Sequence, residues 1–287
     1  GSTGKISVLT RSGTLEQTYN YMTDHSVLTQ QLSPDGRTLY LGGGFFHIYE
    51  EYYGSGFPID VNTGKIAGSN CAITTTEVYT SISDGNGGWY VGSSGSVKMA
   101  TNVSFTSYLF HMRPDCSLDP DFKFSINSAV YSLYLNGNVL YLGGTFTSIG
   151  GQTRNRLAAI DLTTKAVTSF NANVNGIVRT MVLGGNILYI GGDSTSVGGQ
   201  TRNRIAGIDI TTGLVTSLDP NASDVVLTLI LNGDLLYAGG YFTSLGGQDR
   251  NRFAAIDTAT GLVTSLNIGF NAVVRTMLLY EGILYVG

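Results

Sequence analysis

Val178-Arg179-Thr180-Met181-Val182-Leu183, the turn Gly184-Gly185-Asn186, and Ile187-Leu188-Tyr189-Ile190-Gly191-Gly192 read together as a β-hairpin. Two apolar, β-branched runs flank residues that accept tight-turn backbone angles. A loop Gly198-Gly199-Gln200-Thr201-Arg202-Asn203 follows, then a third run, Arg204-Ile205-Ala206-Gly207-Ile208-Asp209. A Thr211-Thr212-Gly213 turn leads into a fourth, Leu214-Val215-Thr216-Ser217-Leu218. Turn chemistry separates four short strands, and no stretch carries the three-and-four spacing of an amphipathic helix.

The unit recurs. Leu-Tyr-hydrophobic-Gly closes at Gly143, Gly191, Gly239 and Gly287, 48 residues apart each time, and weaker copies close at Gly42 and Gly92. A four-stranded antiparallel sheet of this size cannot bury both faces until neighbours stack on it, so the repeat predicts an all-β fold, a β-propeller of four-stranded antiparallel blades. First strands are expected near Val27, Val78, Val130, Val178 and Val226, which gives five whole blades. Lys5 to Gln17 reads as a third and fourth strand and Val273 to Gly287 as a first and second. Together they make a sixth, composite blade that closes the ring. The expected blades are 1–20 with 270–287, then 21–72, 73–124, 125–172, 173–220 and 221–269, in a single domain 1–287. The alternative is a piece of a seven- or eight-bladed propeller. The doublet Gly191-Gly192 is expected where a blade crowds its neighbour.

Composition narrows the function. With 39 Gly, 17 Tyr, 12 Phe and only 13% charged residues, the chain is the opposite of a disordered one. Formal charge is −4 and basic residues do not cluster, so nucleic acid is not an expected partner. No apolar run approaches the roughly 18 residues of a membrane helix, and no direct membrane insertion is expected. The N-terminal Gly1-Ser2-Thr3-Gly4 lacks the basic and apolar stretches of a signal peptide. Two cysteines, Cys71 and Cys116, are too few for a disulfide framework or a zinc site. Repeat alignment puts Cys71 in a fourth-to-first connection and Cys116 in a third-to-fourth turn, at opposite strand ends. Four or five strand residues span about 15 Å, so the two are predicted not to pair.

Leu109-Phe110-His111-Met112-Arg113-Pro114-Asp115-Cys116-Ser117-Leu118-Asp119-Pro120-Asp121-Phe122 resembles the signature of delta-sixty-type repeat propellers, Arg-x-Pro-Asp-Gly followed by Ser-Leu-Asp-x-x-Phe. Cys116 stands where that family usually has Gly. The Gly-Gly-x-Phe-Thr-x-hydrophobic-Gly-Gly-Gln-x-Arg-Asn-Arg loops after Gly143 and Gly239 are similar to the same kelch-like blade pattern, and the Gly191 copy departs from it at Ser194, where the others have Phe146 and Phe242. The resemblance implies the propeller fold and a secreted or cell-surface address. It carries no catalytic residues.

Several polar positions invite two readings. Arg154, Arg202 and Arg250, with Arg156, Arg204 and Arg252, recur in the loop from second to third strand. They form either a crown of guanidinium groups for an anionic ligand or the hydrogen-bonded seam of each blade, and repetition in step with the fold favours the seam. Asp60, Asp161, Asp209 and Asp257 precede turns whose backbone they are expected to cap. One Asp per turn does not supply the six to eight oxygens of a calcium site, so no metal is expected.

Departures from the repeat are more informative. Arg179 and Arg275 occupy first-strand positions where the matching blades have Tyr131 and Leu227. In an early blade Phe45-Phe46-His47-Ile48-Tyr49-Glu50-Glu51-Tyr52-Tyr53 replaces the regular loop. Its Tyr49, Tyr52 and Tyr53 either stack on a sugar or protein ligand or plug an atypical blade. Tyr49, Tyr52, Tyr53, Arg179 and Arg275 are the candidate ligand-binding residues. No nucleophile elbow, zinc-helix or phosphate-loop motif is present, and His25, His47 and His111 are scattered. The expectation is a non-enzymatic, cofactor-free extracellular or cell-surface module that binds protein or glycan, or serves as a structural scaffold, within a larger assembly. The alternative is a glycan-active enzyme, glycosidase- or lyase-like, with Glu50 and Glu51 as its acids.

Overall fold

Short β-branched and aromatic runs separated by turn residues fold into strands. The computed structural model describes residues 4–9, 15–23, 26–32, 37–44, 47–48, 51–52, 55–60, 73, 77–98 and 104–287. Among the described residues every regular element is a strand, and no helix is long and apolar enough to cross a membrane. Val178–Gly184 pairs antiparallel with Ile187–Gly192, Met181 opposite Ile190. The second strand pairs on its other side with Ile205–Asp209, and Val215 bridges Ile208. First strands begin at Val27, Val78, Val130, Val178 and Val226, the positions the repeat predicts.

Two compact units emerge, Gly1–Val130 and Tyr131–Gly287. In the first, Gly4–Leu9 pairs with Leu15–Thr23, and Thr23 pairs with Ile48. Two three-stranded sheets follow: Val27–Leu32, Thr38–Gly43 and Gly56–Asp60, then Val78–Ser83, Trp89–Ser93 and Leu109–Met112. A small hairpin, Ser96–Lys98 with Ser104–Thr106, is inserted in the second. The second unit holds the three regular blades, each with a two-by-two hairpin in its second-to-third loop, and ends in the hairpin Met277–Tyr280 with Ile283–Val286. In those loops Gly198 and Gly199, at φ +57° and +78°, form a tight two-residue turn that Cβ-bearing residues rarely adopt.

Fourth strands are shorter than expected. Among the described residues of the three regular blades only Ala166–Val167 forms one; Val215 and Val263 make single bridges to Ile208 and Ile256. As the outer edge of the sheet, this strand has a pairing partner on one side only, and half of it turns to solvent. The second strand is the reverse. Ile187–Gly192 is buried from Leu188 onward because its sheet is covered on both faces. That packing depends on glycine. A Cβ at Gly143 would stand 2.6 Å from Val178 Cγ1, and one at Gly191 2.8 Å from Val226 Cγ1. At Gly239 it would meet Val274 Cγ1 at 2.5 Å, and in the first unit Gly42 and Gly92 meet Val78 and Val130 in the same way. The Gly of each second strand is the hole that receives the first-strand Val of the next blade.

The cysteine expectation is overturned. Cys116 is disulfide-bonded and no described cysteine is free. Cys71, which lies outside the described residues, is the only other cysteine in the chain and so the only intramolecular partner. Cys116 does sit in a third-to-fourth turn, its N–H donating to Arg113 O. The error lies in the other blade. In a regular blade Ile208 bridges Val215, which sets Ile205 opposite Leu218, 13 positions on, whereas Gly56, the equivalent of Ile205 in the blade at Val27, bridges Ile73, 17 on. A register borrowed from the regular blades therefore misplaces Ile73. Ile73 belongs to the buried cluster of Tyr40, Val78, Trp89, Phe110 and Met112, against which Cys116 also packs.

Candidate functional site

The repeated polar residues are occupied within their own blades. Arg202 donates to Thr201 O, Gln200 Oε1 and Thr216 O, at 2.7, 3.0 and 2.7 Å. Arg154 and Arg250 make the same three bonds, to Thr153 O, Gln152 Oε1 and Thr168 O, and to Asp249 O, Gln248 Oε1 and Thr264 O. Each ties the second-to-third loop to the outer strand. Arg156, Arg204 and Arg252 have φ of +64° to +68° and donate back to Thr145 O, Asp193 O and Tyr241 O.

Asp161 Oδ1 accepts from the N–H groups of Thr163 and Thr164, Asp209 from Thr211 and Thr212, and Asp257 from Thr260. The Thr164, Thr212 and Thr260 backbone donors hold these carboxyls below the usual carboxylate range. Depressed folded values stabilise above the unfolded carboxylate pKa of about 4, and the contribution is lost as pH falls through the folded values. Melting temperature is therefore expected to drop on acidification below about pH 4. The drop should become shallower in an Asp161→Asn/Asp209→Asn/Asp257→Asn chain, which keeps the acceptor oxygens but does not titrate. An unchanged acid slope in that variant contradicts the assignment.

The residues that vary from blade to blade gather elsewhere. In the pairing of Val178–Gly184 with Ile187–Gly192, Val178 faces Gly192 and Thr180 faces Gly191, leaving Arg179 as a bulged residue. Leu28, Tyr79 and Leu227 are bulged at the same step of their first strands. In the last hairpin the N–H groups of Arg275 and Thr276 both donate to Gly287 O. A bulge re-aims one side chain out of the pleat. The second unit thus presents, in chain order, Tyr131, Arg179, Leu227 and Arg275 at equivalent positions.

Arg179 is not free. Its Nε donates to Asp193 Oδ1 at 2.7 Å and its Nη2 to Asp193 Oδ2 at 2.9 Å, a bidentate pair with side chains 29% and 27% exposed. That bond holds the guanidinium above its ordinary pKa. Its guanidinium carbon lies over the Tyr131 ring, 5.7 Å from the ring centre. Asp193 N–H donates to Ile177 O and Tyr241 N–H to Val225 O, which fixes both residues just beyond the second strands. Sequence reasoning placed Arg179 and missed Asp193 and Tyr241. The signal was present, since Thr145, Asp193 and Tyr241 occupy one repeat position and differ. Arg275 is exposed, with no side-chain partner among the described residues.

A second cluster lies in the first unit. His111 Nε2 is 3.0 Å from Asp84 Oδ2 and Nδ1 is 3.1 Å from Asp119 Oδ2. Arg113 donates to Asp119 Oδ1, and Asp84 Oδ1 accepts from the Asn86 and Gly88 N–H groups. Tyr90 stacks on the His111 ring at 4.4 Å. Burial, then the Asp84 and Asp119 charges, push its hydroxyl up to about 12. Asp119 is held below the usual range, with hydrogen bonds from His111 and Asp121 N–H and the Arg113 charge outweighing a desolvation that acts the other way. It accepts bonds from both His111 and Arg113. The cluster ties the first-to-second turn to the third strand and the segment after it. The sequence shows His111 only as one of three scattered histidines.

Tyr49, Tyr53 and Glu50 lie outside the described residues, and of Glu51 and Tyr52 only the backbone is described, paired with His47–Ile48. Among the described residues no group of three or more His, Cys, Asp or Glu is placed to hold a metal.

Residues 137–158, from the first turn to the third strand of a regular blade, match a family model described as a domain of unknown function (DUF5122) beta-propeller. No curated protein matches the chain. Among solved structures it is similar to a chain of the mitotic checkpoint complex, with TM-score 0.64 and 17% identity over 99% of this chain and 78% of that one. It is also similar to the computationally designed Ika8 protein, with TM-score 0.59 and 14% identity over 99% and 87%. Both likenesses are of fold alone. Repeat, sheet topology and the matched blade together define an all-β repeat protein of the β-propeller kind.

Proposed function

We propose that this propeller is a non-catalytic binding module of the extracellular space or cell surface, presenting the end of its sheets where the bulged residues lie to a protein or glycan within a larger assembly. One observation carries the reading. The polar side chains that repeat are engaged in hydrogen bonds inside their own blades, whereas those that break the repeat, Tyr131, Arg179, Asp193 and Tyr241, are partly exposed, with Arg179 bonded to Asp193 and standing over the Tyr131 ring. A residue required by every blade for packing repeats with the blade; one that varies is released from that duty.

The extracellular address is supported by the Cys116 disulfide, since such bonds persist in oxidising compartments, and by the resemblance to delta-sixty-type repeats. Six blades, closed by residues 1–20 and 270–287, belong to the same proposal. Gly4–Leu9 and Ile283–Val286 are each the edge strand of their own sheet.

The test is a combined array of glycans and purified ectodomains probed with the labelled chain and with a Tyr131→Ala/Arg179→Ala/Tyr241→Ala variant. Binding to at least one class of probe, lost in a variant that still melts cooperatively, is the expected result. A chain that binds nothing, or a variant that binds equally well, refutes the assignment of this face.

A further inference from the structure

The Arg179–Asp193 pair constrains what the face accepts. A guanidinium has five N–H donors, and Arg179 commits two of them, on Nε and Nη2, to Asp193. Three donors remain, and each Asp193 oxygen, having accepted one bond, keeps a lone pair. Donors and acceptors thus lie side by side on one planar, electrically neutral unit, about a quarter exposed on both partners. An anionic ligand finds Arg179 already neutralised and Asp193 repelling it. A purely apolar ligand leaves both groups unsatisfied, at the cost of stripping water from an ion pair. A ligand with adjacent groups that each donate and accept satisfies both partners at once, and two neighbouring hydroxyls of a sugar are such groups.

The flanking residues extend the argument. The guanidinium stands over the ring of Tyr131, from the preceding blade, and Tyr241 holds in the following blade the backbone position that Asp193 holds in its own. Aromatic faces pack against the C–H faces of pyranose rings while their hydroxyls reach polar groups. Leu227, bulged and half-buried in the first strand of the blade that carries Tyr241, adds an apolar surface. We infer that Arg179 and Asp193, flanked by Tyr131 and Tyr241, form a subsite for the vicinal hydroxyls of a neutral sugar. The inference rests on the binding-module reading and narrows it to one ligand class.

Asp193→Ala gives opposite signs for the rival chemistries. In a neutral-sugar site it removes a charge-assisted acceptor, and affinity falls about tenfold or more. In an anion site it frees Arg179, and affinity rises. The experiment is saturation-transfer NMR on the whole chain. Glucose, galactose, mannose and N-acetylglucosamine are the neutral probes, and glucuronate, galacturonate and N-acetylneuraminate the acidic ones. Melting curves establish that each variant is folded. Transfer to at least one neutral sugar is expected, weakened about tenfold by Asp193→Ala and, independently, by Tyr241→Ser, which leaves the ion pair in place. Silence from every neutral sugar overturns the inference. So does preferred binding of an acidic sugar that strengthens in Asp193→Ala, an outcome that leaves the binding-module reading intact. If an ectodomain on the array binds through this face and no sugar does, the inference falls and the module reading survives. If neither binds, both fall.

Discussion

A Gly192→Ala chain is expected to lose about 3 kcal/mol of stability, measured as a lower midpoint in denaturant at unchanged slope, for the smallest possible addition to the protein. The methyl group would stand 1.9 Å from Ile177 O and 3.1 Å from Arg179 N, both backbone atoms. A flexible side chain can swing aside, but here the connection entering the blade has to move. Ile177 O also accepts the N–H of Asp193, so the displacement reaches the residue that holds Arg179. Gly192→Ala should therefore damage binding as well as stability. Gly240→Ala repeats the experiment one blade on, where Val225 O is 2.2 Å from the added carbon and accepts from Tyr241 N–H. Gly199→Ala is the control. Its φ of +78° disfavours alanine, but the added carbon meets nothing within 4 Å. The expected loss is about 1 kcal/mol, that of the left-handed backbone alone. Equal losses at Gly192 and Gly199 would mean that backbone conformation, and not the close approach of chains, makes these glycines necessary.

The contrast between those glycines shows which parts of the molecule are legible in its sequence. Strand starts at Val130, Val178 and Val226, turns and second-strand glycines are written locally, in apolar runs and turn residues a few positions apart, and the 48-residue period writes them three times over. The seam arginines are legible for the same reason, as the residues repeat with the carbonyls they bind. Pairs that occur once are not. Asp193 reaches Arg179 across a bulge, from a strand end 14 positions away, and no copy of the pair exists elsewhere to reveal it. Asp84, His111 and Asp119 meet because a turn, a strand and a later loop converge, and periodicity says nothing of that. The irregular early blades misled the reading of the cysteines, because the spacing of their third and fourth strands does not follow the period. Function lies mostly in the same blind region. A site needs what its neighbours lack, so it appears in a repeat protein as a departure, visible by position before its geometry is known.

The disulfide is the departure with the largest expected effect on stability. Reducing the chain, or replacing Cys116 with serine, removes that bond, and with Cys71 as the expected partner it opens a loop from residue 71 to residue 116. Closing a loop of this length restricts the unfolded chain by about 4 kcal/mol on the chain-entropy account. Cys116 also packs against the cluster of Tyr40, Trp89, Phe110 and Met112, so the loss falls within the first unit. Intact mass under native conditions should be lighter than the reduced mass by two hydrogens. Denaturant unfolding of four chains then identifies the partner. If Cys116 bonds Cys71, the Cys71→Ser, Cys116→Ser and double variants all lose the same stability, because each removes one bond and the second substitution removes nothing further. Reductant should lower the stability of the wild-type chain to theirs and leave the variants unmoved. Losses that add in the double variant, or a Cys71→Ser chain as stable as the wild type, would show two thiols that pack separately. The early blades would then have to hold their irregular register without a covalent tie.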